Sequence, residues 1–353
     1  MAVFFIVLLL LAALLEFFSL RTGADSIGAD FTLSSARVEV SDPVEIITTV
    51  RNGKLLPVSY CLLRVAFPLS TQFPKDADVS MEINQFLLSD VYRLWGRSAK
   101  EHRLTFQMER RGVYTVSGRE VGRGDFLGIR ISYRQFTVHR TVIVYPPRLQ
   151  SAALSEALGS YCGELSAQRW LLRDPVLTLG VREYTGSEPM HTISWSQTAR
   201  RGELTVREFD FTRSLNCRIL LLVHGLSSDE DTLLDRCCGA VRTICETLIS
   251  VGVEAQVFTN AALKGFSHQR FHSVSAAPNR EEDLLDVLAR VTGSFFTSAE
   301  ELAAECASVQ TDAAAYVIVA PHADEQTHSA ARLLDSLSGT GTLVVAVDQL
   351  EVD

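Results

Sequence analysis

The chain has 353 residues, a net charge of -9, 47% hydrophobic residues and 21% charged residues. This length is too great for one compact core and suggests two soluble domains or one large domain with additions, and the composition excludes wholesale disorder. The negative net charge argues against nucleic acid as a partner, because proteins that bind nucleic acid need clustered lysine and arginine.

An apolar segment opens the chain, and Glu16 is its only charged residue between positions 2 and 20. A helix of this length reaches roughly 28 Å, which is close to the hydrocarbon thickness of a bilayer. A cleaved signal peptide is the alternative, but no lysine or arginine precedes the apolar run and no small-x-small cleavage site follows it. Residues 1–21 are therefore predicted to be a retained transmembrane anchor.

Two observations predict the orientation of this single-pass protein of the cell membrane. Arg21 follows the apolar run, and positive charge tends to remain in the cytoplasm. The seven cysteines are odd in number, none are spaced as C-x-x-C, and most fall in predicted strands or helices. We therefore expect cytoplasmic soluble domains in which the cysteines are small buried hydrophobic residues.

Residues 29–148 are predicted to form an antiparallel β-sandwich. Runs rich in valine, isoleucine, threonine and aromatic residues alternate with turn signals such as Asn52-Gly53, and no long helical period is present. The predicted strands are residues 31–40, 43–51, 58–68, 102–108, 113–121 and 128–144. Residues 71–100 break this rhythm and are predicted to form a long loop with a helical piece.

Strands and helices alternate from residue 218 onward, which predicts a doubly wound α/β domain over residues 218–353. The sequence RILLLV at 218–223 is typical of a strand that is buried on both faces of a parallel sheet. The other predicted strands are 253–258, 316–320 and 342–347, and the predicted helices are 231–251, 281–291, 298–307 and 325–337. One face of the first helix carries Leu234, Cys238, Val241, Cys245 and Leu248.

The most distinctive stretch, residues 180–210, lies in the segment 149–217 that links the two domains. Its arginines and glutamates are interspersed, and Tyr184 and Trp195 add flat apolar surface. The charged residues are Arg182, Arg200, Arg201, Arg207, Glu183, Glu188, Glu203 and Glu208. Arginine pairs bidentately with carboxylates and stacks on aromatic rings. Both an internal polar seam and a docking surface for an acidic partner fit this pattern.

Ten positions of this stretch resemble, without a gap, the signature of the domain-of-unknown-function fifty-eight family. They are Gly180, Arg182, Tyr184, Ile193, Trp195, Ala199, Arg200, Leu204, Val206 and Glu208. Residues 111–114, 124–129 and 144–146 are similar to the family's upstream R-G-x-Y, D-P-F-G-L and V-Y-P landmarks. The family's G-D falls on Ser187-Glu188 and its next arginine on His191, so the chain resembles a divergent member.

The resemblance implies both a fold and a function. It implies that residues 218–353 are a von Willebrand A-like domain. It also implies a non-catalytic, membrane-anchored scaffold or adaptor that acts with a MoxR-type AAA+ ATPase in the assembly or maturation of other proteins. On this interpretation Arg182, Tyr184, Trp195, Arg200 and Glu208 form the docking site.

The same resemblance bears on metal binding. A von Willebrand A domain that binds Mg²⁺ uses D-x-S-x-S at the end of its first strand. Here the three ligand positions fall on His224, Leu226 and Ser228, so two of the three oxygen ligands are missing and no metal or other cofactor is expected.

Softer metals leave an alternative, because imidazole is a good zinc ligand. His224, His322 and Asp324 all fall at strand ends and could serve a membrane-tethered, metal-dependent hydrolase or binding protein. His268 and His272 have ligand spacing only if their segment is helical, which its composition does not favour.

Motifs of the common enzyme classes are missing from the sequence. It contains no G-x-S-x-G elbow, no G-x-x-x-x-G-K-[ST] loop, no H-E-x-x-H motif and no G-x-G-x-x-G turn. Gly122-Arg123-Gly124 begins the last pattern but lacks its third glycine. The sequence therefore favours protein binding over catalysis.

Overall fold

The structure is a computed structural model, and it divides the chain into two compact units. One unit comprises residues 1–147 with 288–290, and the other comprises 148–287 with 291–353. The described residues are 4, 6, 7, 10, 27–124, 131–171, 178–186, 190–209, 216–226, 230–266, 272–277, 280–309, 313–336 and 341–351.

The first unit is a β-sandwich, as the sequence predicts. Its strands are β1 (Ile27–Leu33), β2 (Arg37–Glu39), β3 (Val44–Asn52), β4 (Val58–Phe67), β5 (Thr71–Gln72), β6 (Val79–Glu82), β7 (Gln85–Leu94), β8 (Ala99–Met108), β9 (Gly112–Gly124), β10 (Ile131–Gln135) and β11 (His139–Tyr145). One sheet has the order β1-β3-β8-β5 and the other has the order β2-β11-β9-β4-β7-β6, with β10 paired to β9. All of these pairs are antiparallel except β2 with β11.

A shared hydrophobic core holds the two sheets together. Val44, Ile46 and Val50 of β3 are fully buried and alternate with partly exposed residues, as expected for a strand with one face on a core. Phe67 of the second sheet packs edge-on against Phe106 of the first, with 5.1 Å between ring centroids. The alternation that predicts the strands therefore also places their core residues.

The prediction for residues 71–100 is wrong. This stretch contains no helix, and most of it is the hairpin of β6 and β7, which a two-residue turn at Ile83 and Asn84 joins. Asn84 has a positive φ of 62°, a backbone conformation that asparagine tolerates better than most residues. The turn lacks the Asn-Gly or Asp-Gly pair that usually marks a tight hairpin.

The second unit is built on a sheet with the order β17-β15-β14-β19-β20. Its strands are β14 (Asn216–Leu221), β15 (Glu254–Thr259), β17 (His272–Ala276), β19 (Ala313–Ala320) and β20 (Leu343–Ala346), and two smaller sheets pair β12 (Thr178–Glu183) with β13 (Thr205–Phe209) and β16 (Ala261–Leu263) with β18 (Val291–Phe295). The neighbours β15, β14, β19 and β20 run parallel, and β17 is antiparallel to β15. The predicted strands at 218–223 and 316–320 are thus neighbours in one sheet.

Helices cover this sheet. Over the described residues from 27 onward, the α-helices are α1 (Ala152–Leu171), α2 (Trp195–Arg201), α3 (Asp231–Ser250), α4 (Glu281–Arg290), α5 (Ala299–Ser308) and α6 (Glu325–Asp335). Helix α3 buries all five residues of its predicted apolar face and contacts β14, β15 and β19. Helices α5 and α6 pack against Leu220, Leu222 and Ile318. Strand β14 is therefore buried along nearly its whole length, as its apolar sequence predicts.

Helix α1 was missed by the sequence prediction. Its buried residues follow helical spacing, but alanine, glycine and serine occupy many other positions, so the contrast between its faces is weak. The buried residues are Leu154, Leu158, Tyr161, Cys162 and Leu165. The Tyr161 hydroxyl donates a hydrogen bond to the Tyr316 carbonyl at 2.8 Å, which joins α1 to β19.

The prediction of a single-pass membrane protein is contradicted. In the part of the chain that the structure describes, no helix is both long enough and apolar enough to cross a bilayer. Residues 2–20, on which the prediction rested, lie outside the described residues except for Phe4, Ile6, Val7 and Leu10. The predicted anchor, cell-membrane localisation and cytoplasmic orientation are withdrawn together.

Candidate functional site

The signature segment folds as two paired strands with a short helix between them in sequence. Strand β12 pairs antiparallel with β13, from Gly180 opposite Glu208 to Glu183 opposite Thr205. Helix α2 follows and ends at Gly202, whose φ of 77° is the left-handed conformation that glycine adopts readily. The Gly202 N–H donates to the Thr198 carbonyl and closes the last turn.

A small set of buried contacts fixes α2 against β13. Ile193 and Val206 are buried and form a bridge between the two chain segments. The Ser194 N–H donates to the Thr205 carbonyl at 2.8 Å, and the Thr205 N–H donates to Thr198 Oγ1 at 3.1 Å. Two apolar positions of the signature therefore hold the segment's own fold rather than a ligand.

The remaining signature side chains are largely exposed. Helix α2 has no buried residue, and Trp195 is 61% exposed. Arg182 and Arg200 are also exposed, Tyr184 is half-buried, and the Glu208 side chain lies outside the described residues. The structure thus presents three of the five predicted docking residues at the surface of one short segment.

Two exposed apolar side chains that the sequence interpretation did not assign to docking flank this helix. Met190 is 70% exposed and lies in the turn before α2, and Leu204 is 45% exposed after it. Arg201 is exposed beside Arg200, and neither arginine forms an ion pair with another described residue. Of the two apolar residues Met190 and Leu204, only Leu204 belongs to the family signature. Exposed apolar groups beside exposed arginines are chemically suited to contact a protein surface.

His224 and Asp324 come together at the carboxyl edge of the parallel sheet. His224 follows β14 and Asp324 follows β19, and the ends of neighbouring parallel strands meet at one edge. His224 Nε2 lies 2.8 Å from Asp324 Oδ2. Asp324 also caps α6, because its Oδ1 accepts the Thr327 N–H at 2.9 Å.

This environment lowers the pKa of Asp324. Partial burial favours the protonated acid, but the Thr327 N–H, His224 and the Thr327 hydroxyl all donate to the carboxylate and outweigh burial. Thr327 Oγ1 lies 2.9 Å from Asp324 Oδ1 and 3.4 Å from His224 Nε2. The Thr327 hydroxyl, the His224 imidazole and the Asp324 carboxylate therefore form one hydrogen-bonded cluster. This cluster joins α6 to the end of β14.

The alternative metal site gains no support from this geometry. His322 Nδ1 faces Asp348 Oδ2 at 3.0 Å, and its Nε2 lies 4.0 Å from Glu230 Oε1, so its partners differ from those of His224. Over the described residues, no group of three or more histidine, cysteine, aspartate or glutamate side chains is placed to hold a metal ion.

The predicted degenerate metal site comprises His224, Leu226 and Ser228. His224 is buried, and its Nδ1 has no hydrogen-bond partner in the described structure. Leu226 is half-buried, and Ser228 lies outside the described residues. His272 belongs to strand β17 and not to a helix. A metal-binding pair with His268 would need helical spacing, and His268 lies outside the described residues.

Asn260 is a buried polar residue at the same sheet edge that the sequence prediction missed. It follows β15 and is fully buried. Its Oδ1 accepts the Val223 N–H at 2.9 Å, and its Nδ2 donates to the Val223 carbonyl at 3.3 Å and to the Thr297 carbonyl at 2.9 Å. Asn260 therefore fixes the end of β14 just before His224. A polar residue directly after a buried strand was the available signal.

Comparisons with known proteins do not identify a family. No protein-family model and no curated protein matches the chain. Among solved structures, the CARDB domain of a Pyrococcus furiosus protein in complex with di-metal ions is 12% identical, with 33% of this chain and 91% of that chain covered and a TM-score of 0.23. A non-cellulosomal cohesin from the archaeon Archaeoglobus fulgidus is 14% identical, with 33% and 90% covered and a TM-score of 0.24. A type II cohesin domain from the cellulosome of Acetivibrio cellulolyticus is 9% identical, with 33% and 95% covered and a TM-score of 0.26.

Likenesses of this strength carry no conclusion about function. The resemblance of residues 180–210 to the domain-of-unknown-function fifty-eight signature therefore stays a prediction that these comparisons do not test.

Proposed function

We propose that this protein is a non-catalytic scaffold that binds a partner protein through the exposed part of the signature segment. The observation that carries the proposal is the exposure of α2, where Trp195 is 61% exposed and no residue is buried. Tryptophan and arginine are the residues most enriched among those that dominate binding energy at protein interfaces. Trp195 and Arg200 supply both at one helix.

Exposure also favours docking over the internal polar seam. A seam would bury its arginines and pair them with carboxylates, because an unpaired buried charge is costly. Arg200 and Arg201 are instead exposed and form no ion pair with another described residue. Arg200 and Arg201 are therefore available to a partner.

We also propose that the second unit is a von Willebrand A-like domain with a degraded metal site. Its sheet order agrees with a doubly wound fold in which the chain crosses from one side of β14 to the other. His224 occupies the first expected ligand position and is engaged by Asp324, and Leu226 offers no oxygen. These features support a domain that binds partners without Mg²⁺.

The proposed partner is a MoxR-type AAA+ ATPase, with the pair acting in the assembly or maturation of other proteins. This part of the proposal rests on the resemblance of residues 180–210 to the family signature. An ATPase would supply the energy of remodelling, so the scaffold needs no catalytic residue of its own.

A direct binding measurement tests this proposal. The full chain is immobilised and titrated with a purified MoxR-type ATPase encoded by the same genome, using the natural sequence, W195A and W95A. Trp95 is a matched control because it is 76% exposed and lies in the first unit. Loss of a central interface tryptophan typically costs about 2 kcal/mol, so W195A should weaken binding roughly 30-fold.

The two parts of the proposal fail in different ways. No binding by the natural chain would refute the ATPase as partner. Binding that W195A leaves unchanged, or that W95A weakens as much, would refute the docking site.

A further inference from the structure

A cavity of about 470 Å³ opens on the first sheet of the β-sandwich, on the face that carries Thr49 and Arg51. Ile47, Thr49 and Arg51 of β3 line it, and they alternate with the core residues of that strand. Sites for small ligands typically enclose about 300–1,000 Å³, so the cavity is large enough for one. It belongs entirely to the first unit and is separate from the signature segment.

The strand register arranges charges within the cavity. Asp30 of β1 is opposite Thr49 of β3, which is opposite Glu101 of β8. Because neighbouring strands are about 4.8 Å apart, the two carboxylates flank the Thr49 hydroxyl from opposite sides. A cationic group above Thr49 would therefore lie between the two strands that carry these carboxylates.

Arg51 provides the opposite charge farther along the same strand. It lies two residues from Thr49, or roughly 7 Å at the usual rise of a strand. Its neighbours across the strands are Gly28 and Ala99, so no large side chain covers the guanidinium from either side. The cavity thus has a carboxylate subsite at Thr49 and a guanidinium subsite two residues farther along β3.

Two of these charges have no partner within the described structure. Arg51 and Glu101 are exposed and form no ion pair with another described residue. Asp30 Oδ1 accepts the Phe31 N–H at 2.8 Å and lies 3.4 Å from Arg140 Nη2, which leaves Oδ2 available. Separated, unpaired charges of both signs are complementary to a zwitterion.

The strand edge beside these charges offers main-chain groups. Ala29 and Phe31 line the cavity, although the Phe31 side chain is fully buried, so the backbone of Phe31 contributes. Strand β1 is the last strand of its sheet, and the Phe31 N–H bonds to the Asp30 side chain rather than to a neighbouring strand. The Phe31 N–H is therefore already satisfied, and the charged side chains carry the recognition.

We propose that this cavity binds a short zwitterionic peptide of two or three residues. Its terminal ammonium lies between Asp30 and Glu101, and its terminal carboxylate pairs with Arg51. The spacing of the two subsites matches the distance between the termini of a dipeptide better than the short separation within one amino acid.

Isothermal titration of the full chain with alanylalanine tests the proposal. The natural chain should bind it saturably with a dissociation constant below about 10 mM. N-acetylation or C-amidation of the peptide should each weaken binding about tenfold, because each removes one charge-assisted contact. Free alanine should bind more weakly than the dipeptide.

Variants assign each terminus to its side chain. R51A should weaken alanylalanine about tenfold and bind the peptide and its amide equally. E101Q should reduce the preference for the free over the acetylated peptide, and the Asp30 carboxylate should retain the rest of it. R93A is the matched control, since Arg93 is an exposed arginine of the other sheet, and it should bind like the natural chain. Thermal unfolding of each variant checks that the sandwich is intact.

Three results would each overturn the proposal. They are no saturable binding of alanylalanine up to about 10 mM, equal binding of the free and the doubly blocked dipeptide, and equal loss in R51A and R93A. None of them bears on the scaffold proposal, which concerns the second unit.

Discussion

His224 Nε2 lies 2.8 Å from Asp324 Oδ2, and this contact joins the end of β14 to the first turn of α6. Asp324 has two structural roles, because it also accepts the Thr327 N–H as the N-cap of α6. His224 is buried, and Asp324 is the nearer of the two partners of its Nε2, since Thr327 Oγ1 lies 3.4 Å away.

We expect D324A to destabilise the protein by about 2–3 kcal/mol. Loss of a helix N-cap typically costs about 1 kcal/mol, and an unsatisfied buried polar group costs about as much or more. Chemical denaturation gives the free energy of unfolding. E325A is the control, because Glu325 is exposed in the same turn and its loss should change stability by less than about 0.5 kcal/mol. Equal stability of D324A and E325A would contradict the account of this contact.

Glu246 should make stability depend on pH. Burial alone would raise its pKa, but hydrogen bonds from Arg148 at 2.7 Å and Arg242 at 2.9 Å, with their positive charges, lower it. A carboxyl whose pKa is lower in the folded than in the unfolded state stabilises the fold above the unfolded pKa. That stability is lost as the pH falls through the folded pKa.

The matched experiment compares the natural chain with E246Q between pH 7 and pH 3. At pH 7 the variant should be less stable by about 2 kcal/mol, because the buried Arg242 loses a carboxylate partner. The difference should shrink as the pH falls below the ordinary pKa of 4.5. E305Q, which changes an exposed glutamate of α5, should show little difference at any pH. A gap between natural chain and E246Q that does not change with pH would contradict the ion-pair account.

The cysteines should be unreactive in the folded protein. All seven are free and buried. Burial raises the pKa of Cys61 to about 11 and that of Cys306 to about 12. In each case a neighbouring arginine lowers the pKa, but by less than burial raises it. The thiolate is the reactive form, so titration with Ellman's reagent at pH 8 should release almost no colour until denaturant is added. A thiol that reacts rapidly in the native protein would show that the structure is wrong at that cysteine.

The phenylalanine core of the sandwich should dominate the stability of the first unit. Phe106 is almost fully buried and packs against Phe67, so F106A should cost about 3–5 kcal/mol. M81A is the control, since Met81 is 72% exposed on β6 and its truncation should cost less than about 0.5 kcal/mol. Denaturant unfolding followed by near-ultraviolet circular dichroism measures both. Similar losses in the two variants would contradict the assignment of the core.

Periodicity was sufficient wherever the apolar contrast along the chain is strong. The five residues on the buried face of α3 follow from spacing alone, and so does the alternation in β3. Helix α1 could not be found in this way, because small residues blur its faces. The hairpin of β6 and β7 was missed because its turn, Ile83-Asn84, has none of the usual turn pairs.

Some features of the candidate sites could likewise be predicted from the sequence, and others could not. Strand ends predict that His224 and Asp324 share one edge of the sheet, since the strands before them are parallel neighbours. Which histidine pairs with which acid could not be predicted, because Asp348 reaches His322 from a short helix after β20. The cavity on the first sheet could not be predicted from the sequence either, because its charges come from three strands whose register only the folded sheets define.

Photo-crosslinking from the signature helix tests the central claim most directly. Trp195 and, in a second variant, Trp95 are each replaced by p-benzoylphenylalanine in the full chain, and each variant is irradiated with the purified MoxR-type ATPase. Both positions are more than half exposed, so accessibility alone does not distinguish them. We predict a scaffold–ATPase adduct from position 195 and none from position 95. No adduct from position 195, or an equal yield from position 95, would contradict the docking role of this helix.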